Sequence, residues 1–448
     1  MPLRICAAPL LPGCNFMSKM KLTPARRLKG RLTLPGDKSI SHRAALIAAL
    51  ASGSSEITNF STAQDCASTL SCLQQLGVSV QSNDGILRFT GNQTLKAPHA
   101  PLDCGNSGST MRILAGILAG QDFNAELVGD KSLSSRPMRR IIEPLELMGA
   151  MIDSSDGKPP LKIHGSDQLM PIEYRLPVAS AQVKSAILFA GLFANGRTTV
   201  IEKSASRDHT ERLFNGFGVA VTTNDDLSIT IDGPARFTGG AITIPGDISS
   251  AAYFIAAAML LPGSELTIDA VGLNPTRAAF VSVLRAWGAK ISIRDLRDER
   301  NEPVGTIVVT GGLHSAPRDE DRILSGAMIP SLIDELPLLA VVGSQVPGGI
   351  EIRDAEELRL KESDRLLATA ENLRAMGANV EEFDDGIAVS GPTELRGATI
   401  DSFGDHRIAM AFSVAALMAD GKTEIMDSEC VGVSFPEFFS LLATLAER

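Results

Sequence analysis

The hydrophobic pattern of this 448-residue chain repeats one unit several times. In each copy, apolar residues at helical spacing are followed by a glycine and then by alternating apolar residues. This order predicts an α-helix, a glycine C-cap and a β-strand. The copies are Ser71–Val80, Pro144–Ile152, Glu211–Val221, Val283–Ile293 and Leu366–Val380, followed by a truncated copy at Pro436–Leu445.

A longer repeat divides the chain into two similar halves. PGDKSISHRAALIAALASGS begins at Pro35, PGDISSAAYFIAAAMLLPGS begins at Pro245, and the two segments align without a gap. Each half therefore contains three α/β units. A solenoid is the alternative architecture, but common solenoid repeats run roughly 20–50 residues and these units are longer. We expect an α/β protein of two compact domains with a cleft between them.

The two copies of the long repeat differ in charge at the predicted helix start. The first copy carries Lys38, Ser39 and Arg43, whereas the second has Ile248, Ser249 and Tyr253 at the matching positions. A purely structural role would require no such difference. The cations of the first copy are therefore candidates for function.

Composition is that of a soluble globular chain, with 44% hydrophobic and 21% charged residues. The net charge of −10 argues against nucleic acid as a partner, although it allows a local anion pocket. No apolar run reaches the roughly 18 residues of a spanning helix, so no membrane partner is expected. The six cysteines lack metal-binding spacing, which is typical of reduced thiols in a cytoplasmic protein.

The N-terminal segment weakly resembles a lipoprotein signal. Ile5–Leu11 is apolar and precedes Pro12, Gly13 and Cys14, but the apolar stretch is short and contains Pro9. A disordered leader, or a start site set too early with Met17 or Met20 as alternatives, is preferred over a secretion signal.

Candidate anion-binding groups lie at predicted helix starts. In GDKSISHR, Asp37 and Ser39 are good helix caps, and Lys38 and Arg43 add positive charge. A helix N-terminus presents free N–H groups and a partial positive charge, so it suits an anion. The alternative is a capped helix with solvent-exposed cations.

Two further segments of the first half suit phosphate or carboxylate. CGNSGSTMR contains Gly108 in a turn whose backbone can approach an anion closely, although an ordinary turn has the same composition. SLSSRPMRR places Arg136 before a proline, which favours an extended backbone. An arginine held in this way suits a bidentate contact, and a surface arginine is the alternative. Other polar groups open the helices of ASAQVKSA and SRDHTER, namely Ser180, Gln182, Lys184, Arg207 and His209.

Candidate proton-transfer groups lie in the second half. PSLIDELP places Asp334 and Glu335 among apolar residues, and partial burial would make a general base plausible. The alternative is an acid at a helix start. Further charges open the helices of ELRLKESDR and FGDHRIAM, namely Lys361, Glu362, Arg365, Asp405, His406 and Arg407; a solvated helix start is the alternative for the first of these.

Taken in order, LPGDKSISHRA, GNSGSTMR, SRPM, SAQVKSA, SRDHTER, SLIDELP, LRLKESDR and DHRIAM resemble the 5-enolpyruvylshikimate-3-phosphate synthase family over nearly the whole chain. The resemblance implies an enolpyruvyl transferase fold, with one domain at about 37–245 and a discontinuous domain of 1–36 plus 246–448. It also implies a cytoplasmic monomer that needs no metal or organic cofactor. SLSSRPM, SRDHTER and SFPEF are closer to the class II branch of the family.

The resemblance also implies the reaction and the role of each site residue. The family transfers the enolpyruvyl group of phosphoenolpyruvate to the 5-hydroxyl of shikimate 3-phosphate by addition and elimination, releasing phosphate. The implied shikimate 3-phosphate site is Lys38, Ser39, Arg43, Ser180, Ala181, Gln182, Arg207, Asp334 and Lys361. The implied phosphoenolpyruvate site is Lys38, Gly108, Arg136, Gln182, Arg365 and Arg407. Asp334 is the implied proton acceptor, Glu362 a candidate proton donor, and Lys38 a catalytic contact to both substrates.

Two positions refine the resemblance. Val433 stands where class I members carry a lysine, as expected of the class II branch, and Gly108 stands where glyphosate-tolerant class II members have alanine. The first rival is the UDP-N-acetylglucosamine enolpyruvyl transferase family, which usually carries a reactive cysteine before the arginine–proline pair; here that loop has none. The second rival is a phosphometabolite-binding protein without catalysis, which could lose Lys38, Asp334 and Glu362.

Overall fold

The computed structural model describes residues 18–92, 94–313 and 316–448. The predicted leader and the alternative start at Met17 lie outside these residues. The helices are α1 Lys38–Leu50, α2 Gln64–Gln75, α3 Gly108–Ala119, α4 Lys131–Ser135, α5 Arg139–Leu147, α6 Ala181–Gly191, α7 His209–Gly216, α8 Ile248–Leu260, α9 Ala279–Ala286, α10 Ile329–Leu332, α11 Leu336–Gly343, α12 Arg365–Ala375, α13 His406–Ala416 and α14 Phe438–Leu445.

The strands are mostly short and lie between these helices. They are β1 Lys19–Leu22, β2 Arg27–Thr33, β3 Ser52–Thr58, β4 Ser79–Asn83, β5 Ile86–Asn92, β6 Leu102–Asp103, β7 Asn124–Val128, β8 Met151–Ser155, β9 Lys158–His164, β10 Glu173–Arg175, β11 Gly196–Ile201, β12 Val221–Thr223, β13 Ser228–Gly233, β14 Ala241–Thr243, β15 Glu265–Gly272, β16 Ala289–Glu299, β17 Glu302–Leu313, β18 Ile323–Leu324, β19 Ile350–Ile352, β20 Val380–Phe383, β21 Gly386–Val389, β22 Thr399–Ile400, β23 Thr423–Met426 and β24 Ala446–Glu447.

All five complete copies of the predicted unit are confirmed as a helix, a glycine and a strand. They are α2 with β4, α5 with β8, α7 with β12, α9 with β16, and α12 with β20. Each intervening glycine has φ between +85° and +96°, a left-handed conformation that glycine adopts without a Cβ penalty. The glycines are Gly77, Gly149, Gly218, Gly288 and Gly377.

The six sheets of the described residues follow one plan. In the first sheet, β14 pairs with β3 in parallel, and β5 lies antiparallel to both β3 and β4. The sheets around β7, β11, β15 and β19 repeat this order, and the sheet of β1, β23 and β22 is a three-stranded form. The repetition of topology matches the repetition of sequence.

The chain passes between its halves at two adjacent segments, which are the two PGD motifs. The amide of Asp37 donates to the carbonyl of Pro245 at 2.8 Å, and the amide of Asp247 donates to the carbonyl of Pro35 at 3.2 Å. Just before these crossings, β14 pairs in parallel with β3 of the first sheet, and β2 pairs in parallel with β15. The two segments therefore form a paired connection between the halves.

The described residues form two separate hydrophobic cores. One is formed by residues between Ile40 and Ile244, and the other by residues between Leu22 and Leu34 together with those between Ile248 and Leu445. Aliphatic and alanine side chains dominate both cores, in keeping with an aromatic content of only 4%. The expected α/β fold of two similar domains is confirmed.

Candidate active site

A cavity of about 610 Å³ lies between the two halves and is lined by both. Several helix starts converge on this cavity, because the first residues of α1, α3, α6, α12 and α13 line it. Thirteen of the fourteen predicted site residues line this cavity: Lys38, Ser39, Gly108, Arg136, Ser180, Ala181, Gln182, Arg207, Asp334, Lys361, Glu362, Arg365 and Arg407.

Short polar side chains cap these helices and direct their starts toward the cavity. Asp37 accepts from the amide of Ile40 at 2.9 Å, as Asp247 does from that of Ser249 at 2.8 Å. The remaining caps are Ser107 for α3, Ser180 for α6, Asp364 for α12 and Asp405 for α13. Each cap satisfies only part of a helix start, so further N–H groups and the positive end of the helix dipole remain for a bound anion.

Arg136 adopts the extended backbone that its following proline predicts, with φ −78° and ψ 141°. Its guanidinium donates to Asn106 Oδ1 at 2.7 Å and lies 3.4 Å from Glu362 Oε1 on the opposite half. Only 8% of Arg136 is exposed. The side chain is thus fixed in the cavity wall.

Asp334 lies among arginines from both halves. It accepts a hydrogen bond from Arg207 and lies 3.4 Å from Arg365 Nη1 and 3.3 Å from Arg407 Nη2. Burial opposes ionisation of Asp334, but Arg407, Arg207 and Arg365 outweigh it and hold the pKa of Asp334 well below its usual range. Asp334 is therefore an ionised carboxylate, and its basicity increases only when these arginines engage other anions.

Glu362 has a similar environment. It lies 2.7 Å from Arg365 Nη2, in addition to its contact with Arg136. Burial favours the protonated form, but Arg365 and Arg136 outweigh it and lower the pKa of Glu362 well below its usual range. Without a ligand, Glu362 is therefore a carboxylate, and it can donate a proton only after these arginines engage other anions.

Lys38 projects from the first residue of α1 and forms an ion pair with Asp65 Oδ2 at 2.9 Å. Burial alone would lower the pKa of Lys38, but Asp65 outweighs it, so the pKa is raised and the lysine is charged. Asp65 was not identified by the sequence analysis. It lies in the first turn of α2, and its segment contains no motif that distinguishes it from an ordinary helix-start acid.

The remaining polar groups of the cavity are held by neighbours. Gln182 accepts from Arg112 Nη1 at 2.6 Å and donates to Ser109 Oγ at 3.0 Å, while Lys361 pairs with Glu357 at 3.0 Å. Arg112 belongs to the GNSGSTMR motif but was not singled out as a site residue. Burial, reinforced by Arg136, lowers the pKa of Arg112 to about 10.

Arg43, Lys184 and His209 belong to the sequence motifs but do not line the cavity. Arg43 is buried and donates to the carbonyl of Ser39 at 2.9 Å and to the hydroxyls of Thr210 and Ser185. Lys184 is 1% exposed and pairs with two glutamates. His209 contacts Glu302 at 2.7 Å. Arg43 therefore supports the backbone of Ser39 from behind in this arrangement.

In the part of the chain that the structure describes, no group of three or more histidine, cysteine, aspartate or glutamate side chains is arranged to hold a metal ion. No single helix there is long and apolar enough to cross a membrane, although the bent pair Gly326–Leu332 and Leu336–Gly343 passes the test of length and composition when taken together.

The chain is similar to proteins of known family. Residues 22–442 match the family model described as EPSP synthase (3-phosphoshikimate 1-carboxyvinyltransferase). A 3-phosphoshikimate 1-carboxyvinyltransferase of Koribacter versatilis is 50% identical over 96% of this chain and 100% of its own length. One from Akkermansia muciniphila is 51% identical over 92% and 96% of the two chains. The solved structure of EPSP synthase from Acinetobacter baumannii aligns with a TM-score of 0.84 and 39% identity, covering 96% of this chain and 98% of that one.

Proposed function

Because the chain belongs to the EPSP synthase family, we propose that the cavity between its halves is the active site in which both substrates bind. The enzyme is a 3-phosphoshikimate 1-carboxyvinyltransferase of the shikimate pathway of aromatic biosynthesis. It transfers the enolpyruvyl group of phosphoenolpyruvate to the 5-hydroxyl of shikimate 3-phosphate and releases phosphate.

The charge of the cavity carries the proposal. Two phosphorylated substrates bring about five or six negative charges near neutral pH, since the second pKa of a phosphate lies near 6. Six cations among the cavity-lining residues predicted from sequence oppose them, although the whole chain has a net charge of −10: Lys38, Arg136, Arg207, Lys361, Arg365 and Arg407. This local concentration of positive charge suits small polyanions.

Shikimate 3-phosphate is proposed to bind along the starts of α1 and α6. Ser180, Ala181 and Gln182 offer a hydroxyl, backbone N–H groups and an amide at a helix N-terminus. Lys38, Ser39, Arg207 and Lys361 surround the same space, and Arg43 reaches it only through Ser39. Asp334 contacts Arg207, which brings the proposed base next to the sugar site.

Phosphoenolpyruvate is proposed to bind between Gly108 and the three arginines that already hold internal carboxylates. Arg136 and Arg365 both contact Glu362, and Arg365 and Arg407 both contact Asp334. Guanidinium groups arranged in this way suit carboxylate and phosphate oxygens. Lys38 and Gln182 complete the proposed contacts.

The proposed chemistry is addition followed by elimination. In the addition, Asp334 accepts the proton of the attacking 5-hydroxyl as its oxygen bonds to the enol carbon of phosphoenolpyruvate, and Glu362 or Lys38 delivers a proton to the methylene carbon. In the elimination, the new methyl group gives back a proton, the bond between the former enol carbon and the phosphate oxygen breaks, and phosphate leaves. Substrate anions draw Arg136 and Arg365 away from Glu362, which raises its pKa and permits it to carry that proton. Closure of the halves excludes water and strengthens the ionic contacts.

The test is Asp334→Asn, which keeps the size of the side chain and removes its basicity. We expect phosphate release to fall by about 100-fold or more, the usual contribution of a general base, with shikimate 3-phosphate binding retained within severalfold by calorimetry. Arg285→Met, away from the cavity, is the control and should release phosphate at the wild-type rate. Unchanged phosphate release by Asp334→Asn would remove this residue from its proposed role.

Several finer properties belong to the same proposal. The two hydrophobic cores and the paired crossings support domains at about 37–245 and at 1–36 plus 246–448. Val433 and the SLSSRPM segment support the class II branch, and Gly108 supports glyphosate binding. A cytoplasmic monomer is proposed from the family resemblance, and light scattering at two protein concentrations would test the oligomeric state.

A further inference from the structure

The second half supplies a buried cation that its own helix start lacks. Ile248 occupies the position that Lys38 has in the first half. Arg277, in the segment between β15 and α9, instead lines the cavity, and it is only 2% exposed. The second copy of the scaffold thus also has a cation at the site, contributed by a different segment.

Arg277 is linked through the hydroxyl of Ser249 to Glu335, the residue that follows Asp334 in the chain. Its Nη2 donates to Ser249 Oγ, and this hydroxyl donates to Glu335 Oε1. Arg277, Ser249 and Glu335 are each no more than 3% exposed. Glu335 directly follows Asp334 in sequence, so this buried chain of hydrogen bonds fixes the backbone that carries the proposed base.

Asn274, at the other end of the segment that carries Arg277, is hydrogen-bonded to Asp208, the residue that follows Arg207 in the chain. Asn274 Nδ2 donates to Asp208 Oδ1 at 2.7 Å and to Glu302 Oε2 at 3.0 Å. Asn274 is 2% exposed, and Asp208 directly follows Arg207. The amide of Arg277 donates to the carbonyl of Asn274 at 2.8 Å, which closes a tight turn between the two ends.

We propose that the turn 274–277 is a positioning element that fixes the positions of Arg207 and Asp334 relative to each other across the cleft. These two residues belong to different halves and contact each other directly. Their chain neighbours, Asp208 and Glu335, are held by opposite ends of one turn. Asn274 and Arg277 are therefore positioning residues, which act through Asp208 and Glu335. The inference rests on the proposed roles of Arg207 and Asp334.

The two ends of the turn predict two different kinetic effects. Loss of the Arg277 end should displace Asp334 and lower kcat by about 100-fold, as small misplacements of a reacting group do. Loss of the Asn274 end should displace Arg207 and weaken shikimate 3-phosphate binding about tenfold, a typical effect of losing one hydrogen bond to a charged group.

The experiment compares variants of the full chain by phosphate-release kinetics, calorimetry with shikimate 3-phosphate and thermal melting. Ser249→Ala removes only the hydroxyl that bridges Arg277 and Glu335. If Arg277→Met does not fold, the kcat of Ser249→Ala therefore still measures the effect of losing this link. Arg277→Lys should restore part of the turnover lost in Arg277→Met. Arg285→Met, in α9 and outside the cavity lining, is the control and should affect melting alone.

The expected pattern is a loss of kcat in Ser249→Ala and Arg277→Met, and a rise of the dissociation constant in Asn274→Ala. Wild-type kcat in folded Ser249→Ala and Arg277→Met would overturn the inference, as would equal losses of kcat in Arg277→Met and Asn274→Ala. Asp334→Asn is measured in the same series. If it keeps full turnover, the proposed role of Asp334 fails; if it alone loses turnover, only the positioning role of the turn fails.

Discussion

Glu362 acts as an internal counterion in the cavity without substrates. It holds Arg136 from one half and Arg365 from the other, at 3.4 and 2.7 Å. A substrate anion must replace this carboxylate at both guanidinium groups. Under the proposed mechanism, Glu362 therefore opposes anion binding in the free enzyme and becomes available for proton transfer once a substrate anion is bound.

This dual role predicts that Glu362→Gln changes anion binding and turnover in opposite directions. We expect binding of inorganic phosphate to the free enzyme to tighten by about tenfold, because removing one buried charge competitor is worth roughly 1–2 kcal/mol. We expect kcat to fall by about 100-fold if Glu362 carries the proton. Calorimetry with phosphate and steady-state kinetics measure the two effects. Weaker phosphate binding by Glu362→Gln would contradict the counterion role.

A second residue links the cavity to stability in acid. Burial, together with Lys38 and Arg407, lowers the pKa of His406 from 6.5 to about 4, although Asp405 opposes this. Between these two pKa values the unfolded chain binds a proton that the folded chain does not. Stability from neutral His406 is therefore complete above about pH 6.5 and declines as the pH falls toward 4.

His406→Gln should consequently reduce the acid sensitivity of the fold. Between pH 7 and pH 4.5, we expect the free energy of unfolding of the variant to fall by about 2–3 kcal/mol less than that of the wild type. Urea unfolding without substrates measures the difference. His42, whose pKa burial also lowers, is present in both proteins and cancels in the comparison. An identical pH dependence in the two proteins would exclude this role of His406.

At the scale of elements, the local pattern of sequence determined most of the fold. The five glycine-ended units and the capped starts of α1 and α8 depend on contacts within a few residues, so they could be predicted. The extended backbone of Arg136 follows from its neighbouring proline in the same way. The short helix α4 before it, capped by Asp130, was not predicted because five residues carry too little periodicity.

Gly149 offers a direct test of the repeated unit. Its φ is +96°, and an added Cβ would meet nothing within 4 Å, so substitution isolates backbone strain. We expect Gly149→Ala to lower the free energy of unfolding by about 1–2 kcal/mol. Gly149→Asn should cost less, because asparagine tolerates the left-handed conformation better. Equal stability of Gly149→Ala and the wild type in urea unfolding would show that the glycine is not required at this helix end.

At the scale of the molecule, the unpredicted features are those created by contacts between distant segments. Asp65 meets Lys38, and Arg277 meets Ser249 and Glu335, only after the units assemble. Nothing in the local sequence of Asp65 or Arg277 distinguishes these two residues from surface charges. Arg43 illustrates the opposite case, since its motif is conspicuous, but its side chain turns behind Ser39. Motifs thus located the cleft, whereas the partners within it required the three-dimensional arrangement.

The charge distribution of the whole molecule leads to a final prediction. The chain carries a net charge of −10, yet the cavity concentrates cations, so approaching anions are repelled by most of the surface and attracted by one cleft.

Salt screens such long-range fields, with a Debye length of about 10 Å at 0.1 M, but it affects buried contacts much less. Raising KCl from about 50 to about 500 mM should therefore lower kcat/KM for phosphoenolpyruvate severalfold and change kcat at saturation by less than about twofold. Melting temperatures at both salt concentrations control for unfolding. A kcat/KM independent of salt in the folded enzyme would mean that the cleft field does not guide substrate binding and that affinity arises only from contacts inside the closed site.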